Sequence, residues 1–248
     1  MQKITPEISV VILCYRAEEL ASQFVSEVKK NLDSEGLDYE LVLVANYHQG
    51  SLSSDKTPEI VSNLAKRDAT INVVAKEKRR MMGWDMRSGL ETASGRTIAV
   101  IDGDGQMPAS DIIKVYKALT SGNFDMAKTY RIARGDGVLR LIISVVFNVM
   151  VKILFPKVKV RDVNSKPKIF TREAYKRLRL ANNRWFIDAE IIIQASYQNF
   201  KITEIPTVFH VNRHRASFIR FGAIIEFLFD LVRYRIFWRK TFNDKIFQ

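Results

Sequence analysis

Short runs of β-branched and aliphatic residues recur at intervals filled by helical spacing, and this alternation constrains the fold more than any other feature. The runs are Ile8–Cys14 (ISVVILC), Tyr39–Asn46 (YELVLVAN), Ile71–Ala75 and Thr97–Ile101. Ile8–Cys14 is apolar at nearly every position, which predicts a strand buried on both faces of a helix-covered sheet. Between the runs, Leu20, Phe24, Val28 and Leu32 keep four-residue spacing within a helix over Ala17–Leu32. Thr57-Pro58-Glu59 reads as a capping residue, a proline at the first helical position and a first-turn acid. A third helix is expected over Gly83–Ala93. A β-α-β-α order of this kind implies an α/β fold with a mostly parallel sheet and right-handed crossovers. Ligands of such sheets sit beyond the carboxyl ends of the strands. Attention therefore falls on Tyr15, on Asn46 and on the residues after Ile101.

The second half is less regular. Phe124–Thr129 suits a strand, Val138–Phe155 an amphipathic helix and Phe186–Tyr197 another helix. Lys201–Pro206 alternates like an edge strand that its proline ends. Without repeats or low-complexity linkers, a single domain over residues 1–217 is expected, followed by a helical extension over 218–248. In that extension Glu226, Asp230 and Arg233 form a narrow polar stripe. Phe221, Ile225, Leu228, Phe229, Val232, Phe237 and Trp238 form a broad apolar face, with Arg235, Arg239 and Lys240 toward the end. Such a helix suits either a membrane interface or packing against the core or a second subunit.

Charge narrows the partners. Lys and Arg number 39 against 27 Asp and Glu, a net charge of +12. The balance points to an anionic partner: a nucleic acid, a phosphorylated small molecule or an anionic membrane surface. No nucleic-acid-binding motif is present, which argues against a specific nucleic-acid partner. One cysteine and three histidines exclude a disulfide framework and argue against structural zinc. Together with a polar Met1–Glu7, they predict a cytoplasmic protein without a secretory signal. Leu141–Met150 and Phe218–Trp238 are apolar but interrupted or flanked by charge, so neither is expected to span a membrane.

The segment Val100-Ile101-Asp102-Gly103-Asp104-Gly105-Gln106 places two carboxylates at i and i+2 just past a buried strand. Hard cations such as Mg²⁺ and Mn²⁺ take one or two carboxylates together with substrate phosphates. A plain Asp-Gly turn has the same composition. In this context the chain resembles the family-2 glycosyltransferases with a GT-A fold. It is similar in particular to the dolichyl- and polyprenyl-phosphate sugar synthases. The resemblance runs from Ile8 to about Ser217 and is carried by ISVVILCYRAEEL, YELVLVAN, GWDMRSGLETASGRTIAVIDGDGQMP, VRDVNSKPKIFTR and ITEIPTVFHVNRHRAS.

The resemblance implies an inverting, metal-dependent transfer of a sugar from a nucleotide-diphosphate donor. The acceptor it implies is a polyprenyl phosphate, or alternatively a saccharide or other hydroxyl. Asp102 and Asp104 match the metal-binding D-x-D that would hold Mn²⁺ or Mg²⁺, and Gln106 matches a donor-side position. Arg213 and Ser217 match a segment that closes over the diphosphate, with Ala216 near a customary glycine. Arg131, with Arg134, Arg140 and Ser144, matches an acceptor-phosphate site, for which the guanidinium fork is well shaped. Asp162 and Lys168 match further acceptor-side positions. Asp188 matches the general base used for hydroxyl acceptors; an ionised phosphate acceptor needs none. Asn46 stands where the family has an aspartate facing the base, and its amide can still donate and accept. Asp188 and Glu190 also suit plain first-turn acids of a helix. His48, His210 and His214 lack metal spacing and read as structural. The rival to an enzyme is a basic α/β protein that binds lipid or nucleic acid.

Overall fold

The computed structural model describes residues 5–50, 55–134, 138–210 and 221–242. The apolar runs become β1 (Ile8–Leu13), β2 (Tyr39–Val44), β3 (Ile71–Val74) and β4 (Thr97–Asp102), alternating with α1 (Glu19–Ser34), α2 (Thr57–Arg67) and α3 (Met82–Thr92). After β4 come α4 (Asp111–Ser121), β5 (Met126–Arg134), α5 (Val138–Leu154), β6 (Lys168–Thr171), α6 (Arg172–Arg177), α7 (Ile187–Tyr197), β7 (Ile202–Phe209) and α8 (Phe221–Phe242). The seven strands form one sheet in the order β3-β2-β1-β4-β6-β5-β7. All pairings are parallel except those of β6, which runs antiparallel to both β4 and β5.

Alternation along the strands divides the core into two layers. Val11, Leu13, Val42, Val44, Ile98 and Val100 face α3, α5 and α7. Ile8, Val10, Ile12, Leu41, Leu43, Ala99 and Ile101 face α1, α2 and α4. β1, at the middle of the parallel half, is buried at all six positions, as its unbroken apolar run requires.

Several expectations are corrected. β6 gives no strand signal in sequence, because Lys166-Pro167-Lys168 at its start looks polar; Lys168 in the strand and Lys166 before it are both buried and ion-paired. β7 runs through Pro206 to Phe209 instead of ending there. It is the edge strand and pairs only with β5, so a residue without an N–H is tolerated. Thr57 is the first helical residue of α2, not its cap; its hydroxyl donates to Asp55 at 2.6 Å and accepts from the Glu18 N–H at 2.9 Å. α5 is not amphipathic in the usual sense: Phe147 and Val151 are buried, while Leu141, Ile142, Val145, Val146, Val149 and Ile153 are exposed.

The polar stripe read on α8 does not face solvent as a unit. Asp230 and Leu231 are buried, and Glu226 pairs with Arg184 at 2.9 Å. Phe227 stacks edge-on to Phe147 with centroids 4.1 Å apart, and Tyr234 packs on Phe155 and Phe186. The other side of α8 leaves Phe229, Val232, Ile236 and Phe237 exposed. One face of this helix packs on the core, as one of the alternatives expected, and the other is open and apolar. No helix among the described residues is long and apolar enough to cross a membrane.

Candidate functional site

The carboxyl end of β4 delivers the acidic loop. Asp102 is its last residue, opposite Leu13 of β1. The Gly103 N–H donates to the Leu13 carbonyl at 2.9 Å, and a Cβ there would meet Ile12 Cγ2 at 2.9 Å, so the loop lies flat on β1 only with glycine. Gly105 has a left-handed backbone (φ 70°), which turns the chain away after Asp104. The Asp104 carboxylate accepts the Gln106 N–H at 3.1 Å. The Gln106 side chain donates to the His210 carbonyl at 3.2 Å, and the His210 N–H donates to the Gln106 carbonyl at 2.8 Å. Gln106 therefore clips the acidic loop to the end of β7. Arg213 and Ser217 follow within 211–220, outside the described residues, as does the expected domain boundary at 217.

Antiparallel β6 sets a second group beside this loop. Because Lys168 pairs with Val100, the residues just before β6 lie level with Asp102. Lys166 Nζ is 3.1 Å from Asp102 Oδ2 and 3.1 Å from Asp188 Oδ2. Lys168 pairs with the other oxygen of Asp188 and donates to the Ser165 carbonyl at 2.9 Å. Asp188 enters from the first turn of α7 and is buried. Burial alone would raise its pKa, but the two ammonium groups outweigh burial and hold the carboxyl below its usual range. Burial pushes Lys168 down to about 8, with Asp188 opposing. Burial also lowers Lys166, but Asp102 and Asp188 outweigh it and leave its pKa raised.

Arg131, on β5, forms a two-pronged bond with Asp162, Nε at 2.6 Å and an Nη at 2.8 Å. Lys128, fully buried, bonds the Asp162 carbonyl and lies 3.4 Å from Glu204. Arg131 and Asp162, matched separately to the acceptor side, are thus one ion pair. Arg140 and Ser144 lie on α5, and Arg134 closes β5.

Asn46, past β2, is buried, and its amide is fully engaged within the protein. It donates to Asp85 at 2.9 Å and to Ser88 at 3.0 Å, and it accepts the Lys76 N–H at 2.9 Å. Asp85 is in turn paired with Lys78, whose Nζ sits 3.7 Å from the centre of the Tyr15 ring. The amide expected to meet a base edge thus braces a buried Asp85–Lys78 pair. Tyr15, Arg16 and His48 are the less buried side chains of this corner. Arg16 and Glu18 both hold left-handed backbone, φ 51° and 45°, in the turn after β1. Cys14 is buried beneath it, and burial pushes its thiol up to about 12, which makes it inert.

Lys166, Lys128, Lys78 and Asp85 were missed in the sequence. The signal was present for the first: two lysines flank Pro167 beside a buried strand, where unpaired ammonium groups are not tolerated.

As a metal holder the loop fits a shared site. Asp102 and Asp104 supply two hard oxygen donors, and no group of three or more His, Cys, Asp or Glu able to hold a cation occurs among the described residues. The residues therefore suit a divalent ion completed by diphosphate oxygens and water.

The chain is similar in sequence and in fold to several known proteins. The glycosyltransferase AglD of Haloferax volcanii is 29% identical over 207 residues, covering 81% of this chain but only 32% of its own length. A dolichyl-phosphate beta-glucosyltransferase of Trichomonas vaginalis is 26% identical over 94% of this chain and 74% of its own. A dodecaprenyl-phosphate galacturonate synthase of Rhizobium johnstonii is 26% identical over 94% of this chain and 68% of its own. In fold, the chain matches glucosyl-3-phosphoglycerate synthase from Mycobacterium tuberculosis, solved with Mn²⁺, UDP and phosphoglyceric acid. The TM-score is 0.67 at 19% identity, over 93% of this chain and 76% of that one. The α/β architecture is thus that of GT-A proteins. The family model described as "Glycosyl transferase family 2" matches residues 9–179, most of the sheet with the acidic loop inside it, and the chain belongs to that family of glycosyltransferases.

Proposed function

We propose that this glycosyltransferase moves a sugar from a nucleotide-diphosphate sugar to a polyprenyl phosphate at a membrane surface. The observation that carries the acceptor class is the state of Asp188. A hydroxyl acceptor needs a carboxylate ready to take its proton, and Asp188 is buried and ion-paired to two lysines, which makes it a poor proton acceptor. A phosphate acceptor arrives already ionised. Relatives named for dolichyl phosphate and dodecaprenyl phosphate support the same class. The exposed apolar faces of α5 and α8, joined through Phe147 and Phe227, support a lipid setting. Arg140, Arg233 and Arg235 on these helices would favour anionic lipid.

In the displacement, a phosphate oxygen of the acceptor attacks the anomeric carbon from the side opposite the diphosphate. The bond to the diphosphate breaks with its electron pair leaving on the diphosphate oxygen. No proton moves, and the configuration inverts. Asp104 and Asp102 would hold Mn²⁺ or Mg²⁺, which supplies neutralisation of the leaving diphosphate. Gln106 keeps the acidic loop joined to β7, and so to the segment carrying Arg213 and Ser217. Asn46 fixes the corner beside Tyr15, where the base would lie.

The test uses vesicles containing polyprenyl phosphate, Mn²⁺ and radiolabelled UDP- and GDP-sugars. Label should move to the lipid phase with one donor. Label moving only to soluble saccharides would overturn the acceptor assignment and return Asp188 to the role of base.

A further inference from the structure

Lys166 is the residue of the site whose position neither the D-x-D loop nor the acceptor reading explains. It lies outside every regular element, between Ser165 and Pro167, yet its side chain is only 4% exposed. Its Nζ bridges the donor-side Asp102 and the acceptor-side Asp188, each at 3.1 Å, with Met82 Sδ at 3.6 Å. Asp188 has a second partner, because Lys168 holds its other oxygen. Asp102, whose side chain is 37% exposed, has Lys166 as its ion-pair partner among the described residues. A fixed ammonium therefore sits on one of the two carboxylates offered to a divalent cation.

We propose that Lys166 is a tethered counter-cation of the acidic loop that sets its metal affinity: it competes with the divalent ion for Asp102, so the ion is recruited together with the nucleotide diphosphate and not held by the empty protein. This rests on the reading of Asp102 and Asp104 as metal ligands. The physical argument is charge balance. With Lys166 in place, Asp102 is already neutralised, and a divalent ion approaching it meets a positive charge within a few ångströms in a partly desolvated setting. The diphosphate brings the negative charge that shifts the balance. Binding of ion and nucleotide is then positively coupled, and the coupling is reciprocal.

The experiment measures Mn²⁺ binding to the nucleotide-free protein by electron paramagnetic resonance, for the unaltered chain and for Lys166→Met, Lys166→Arg and Asp104→Asn. Thermal unfolding with UDP and with GDP over a Mn²⁺ series accompanies it. Lys166→Met keeps the side-chain length, removes the charge and leaves Asp188 its second lysine. It should bind Mn²⁺ about tenfold more tightly than the unaltered protein, a change of about 1.4 kcal/mol. It should also need correspondingly less Mn²⁺ for half-maximal nucleotide stabilisation. Lys166→Arg, which keeps the charge, should stay near the unaltered value and shows that loss of packing is not the cause. If Lys166→Met and the unaltered protein bind Mn²⁺ alike while Asp104→Asn abolishes binding, the metal loop stands and the role given to Lys166 is wrong. If no variant binds Mn²⁺ with or without UDP or GDP, the metal reading itself fails and takes this inference with it.

Discussion

Asp188 offers the sharpest separation between a catalytic base and a structural counter-ion. In Asp188→Ala, Lys166 keeps Asp102 at 3.1 Å, but Lys168 retains only the Ser165 carbonyl, while remaining fully buried. One buried ammonium thus loses its carboxylate, a change that costs about 3–5 kcal/mol. That is a large share of the roughly 5–15 kcal/mol that holds a domain together. At about 2–4 °C per kcal/mol for a chain of this size, the melting temperature should fall by about 10 °C. The loss should also depend on pH. Lys168 already titrates near 8, below its ordinary value, so the unfolded chain binds more protons than the folded one from there up to the ordinary lysine range. Stability attributable to Lys168 therefore rises with pH across that window, and without Asp188 the window opens lower. Urea unfolding followed by circular dichroism at about pH 7 and about pH 9 reads both effects. The double variant Asp188→Ala, Lys168→Met should recover most of the loss, with a coupling of about 2 kcal/mol. A loss below about 1 kcal/mol, equal at both pH values, would refute the counter-ion reasoning.

Other consequences follow from the same geometry. Glu190 is buried beneath the Ala181–Asn182 turn, and burial, opposed by those two N–H groups, raises its carboxyl to about 7. The folded value exceeds the unfolded one, so its stabilising contribution is complete below the ordinary 4.5 and is lost as pH rises through 7. Glu190→Gln should flatten that slope in a pH series of unfolding curves. Asn46→Asp would replace the amide donor 2.9 Å from Asp85 by a second carboxylate, and should cost about 2 kcal/mol at neutral pH with partial recovery on acidification. Phe229→Asp with Ile236→Asp should leave the melting temperature nearly unchanged, because both side chains are more than half exposed. The same pair should cut sedimentation with anionic vesicles by about tenfold or more.

The parallel half of the sheet was legible because β1, β2 and β4 are buried on both faces, which forces apolar runs that cannot be mistaken for polar loops. The acidic loop was legible because Asp and Gly at a strand end announce both a turn and hard oxygen ligands. The second half hid its organisation in charge. Lys128, Lys166 and Lys168 look like surface residues in sequence, yet they are buried against Glu204, Asp102, Asp162 and Asp188. Pairwise neutralisation makes that burial tolerable, and pairing between residues scores of positions apart leaves no local periodicity. Asn46 is a similar case. Its residue type fits a base contact, and only the approach of Asp85 and Ser88 from α3 shows that its donors are already used. α8 was half legible, since its apolar face is wide enough to serve both the core and an outer surface.

The claim on which the rest depends is that Asp102 and Asp104 receive a nucleotide diphosphate through a divalent cation. Thermal unfolding with UDP and GDP, with and without Mn²⁺, on the unaltered chain and on Asp104→Asn, tests it directly. At about 100 times its dissociation constant, the correct nucleotide should add about 2.7 kcal/mol, several degrees in melting temperature, only with Mn²⁺ and only in the unaltered chain. A shift that persists in chelator and in Asp104→Asn, or no shift with either nucleotide, would contradict it.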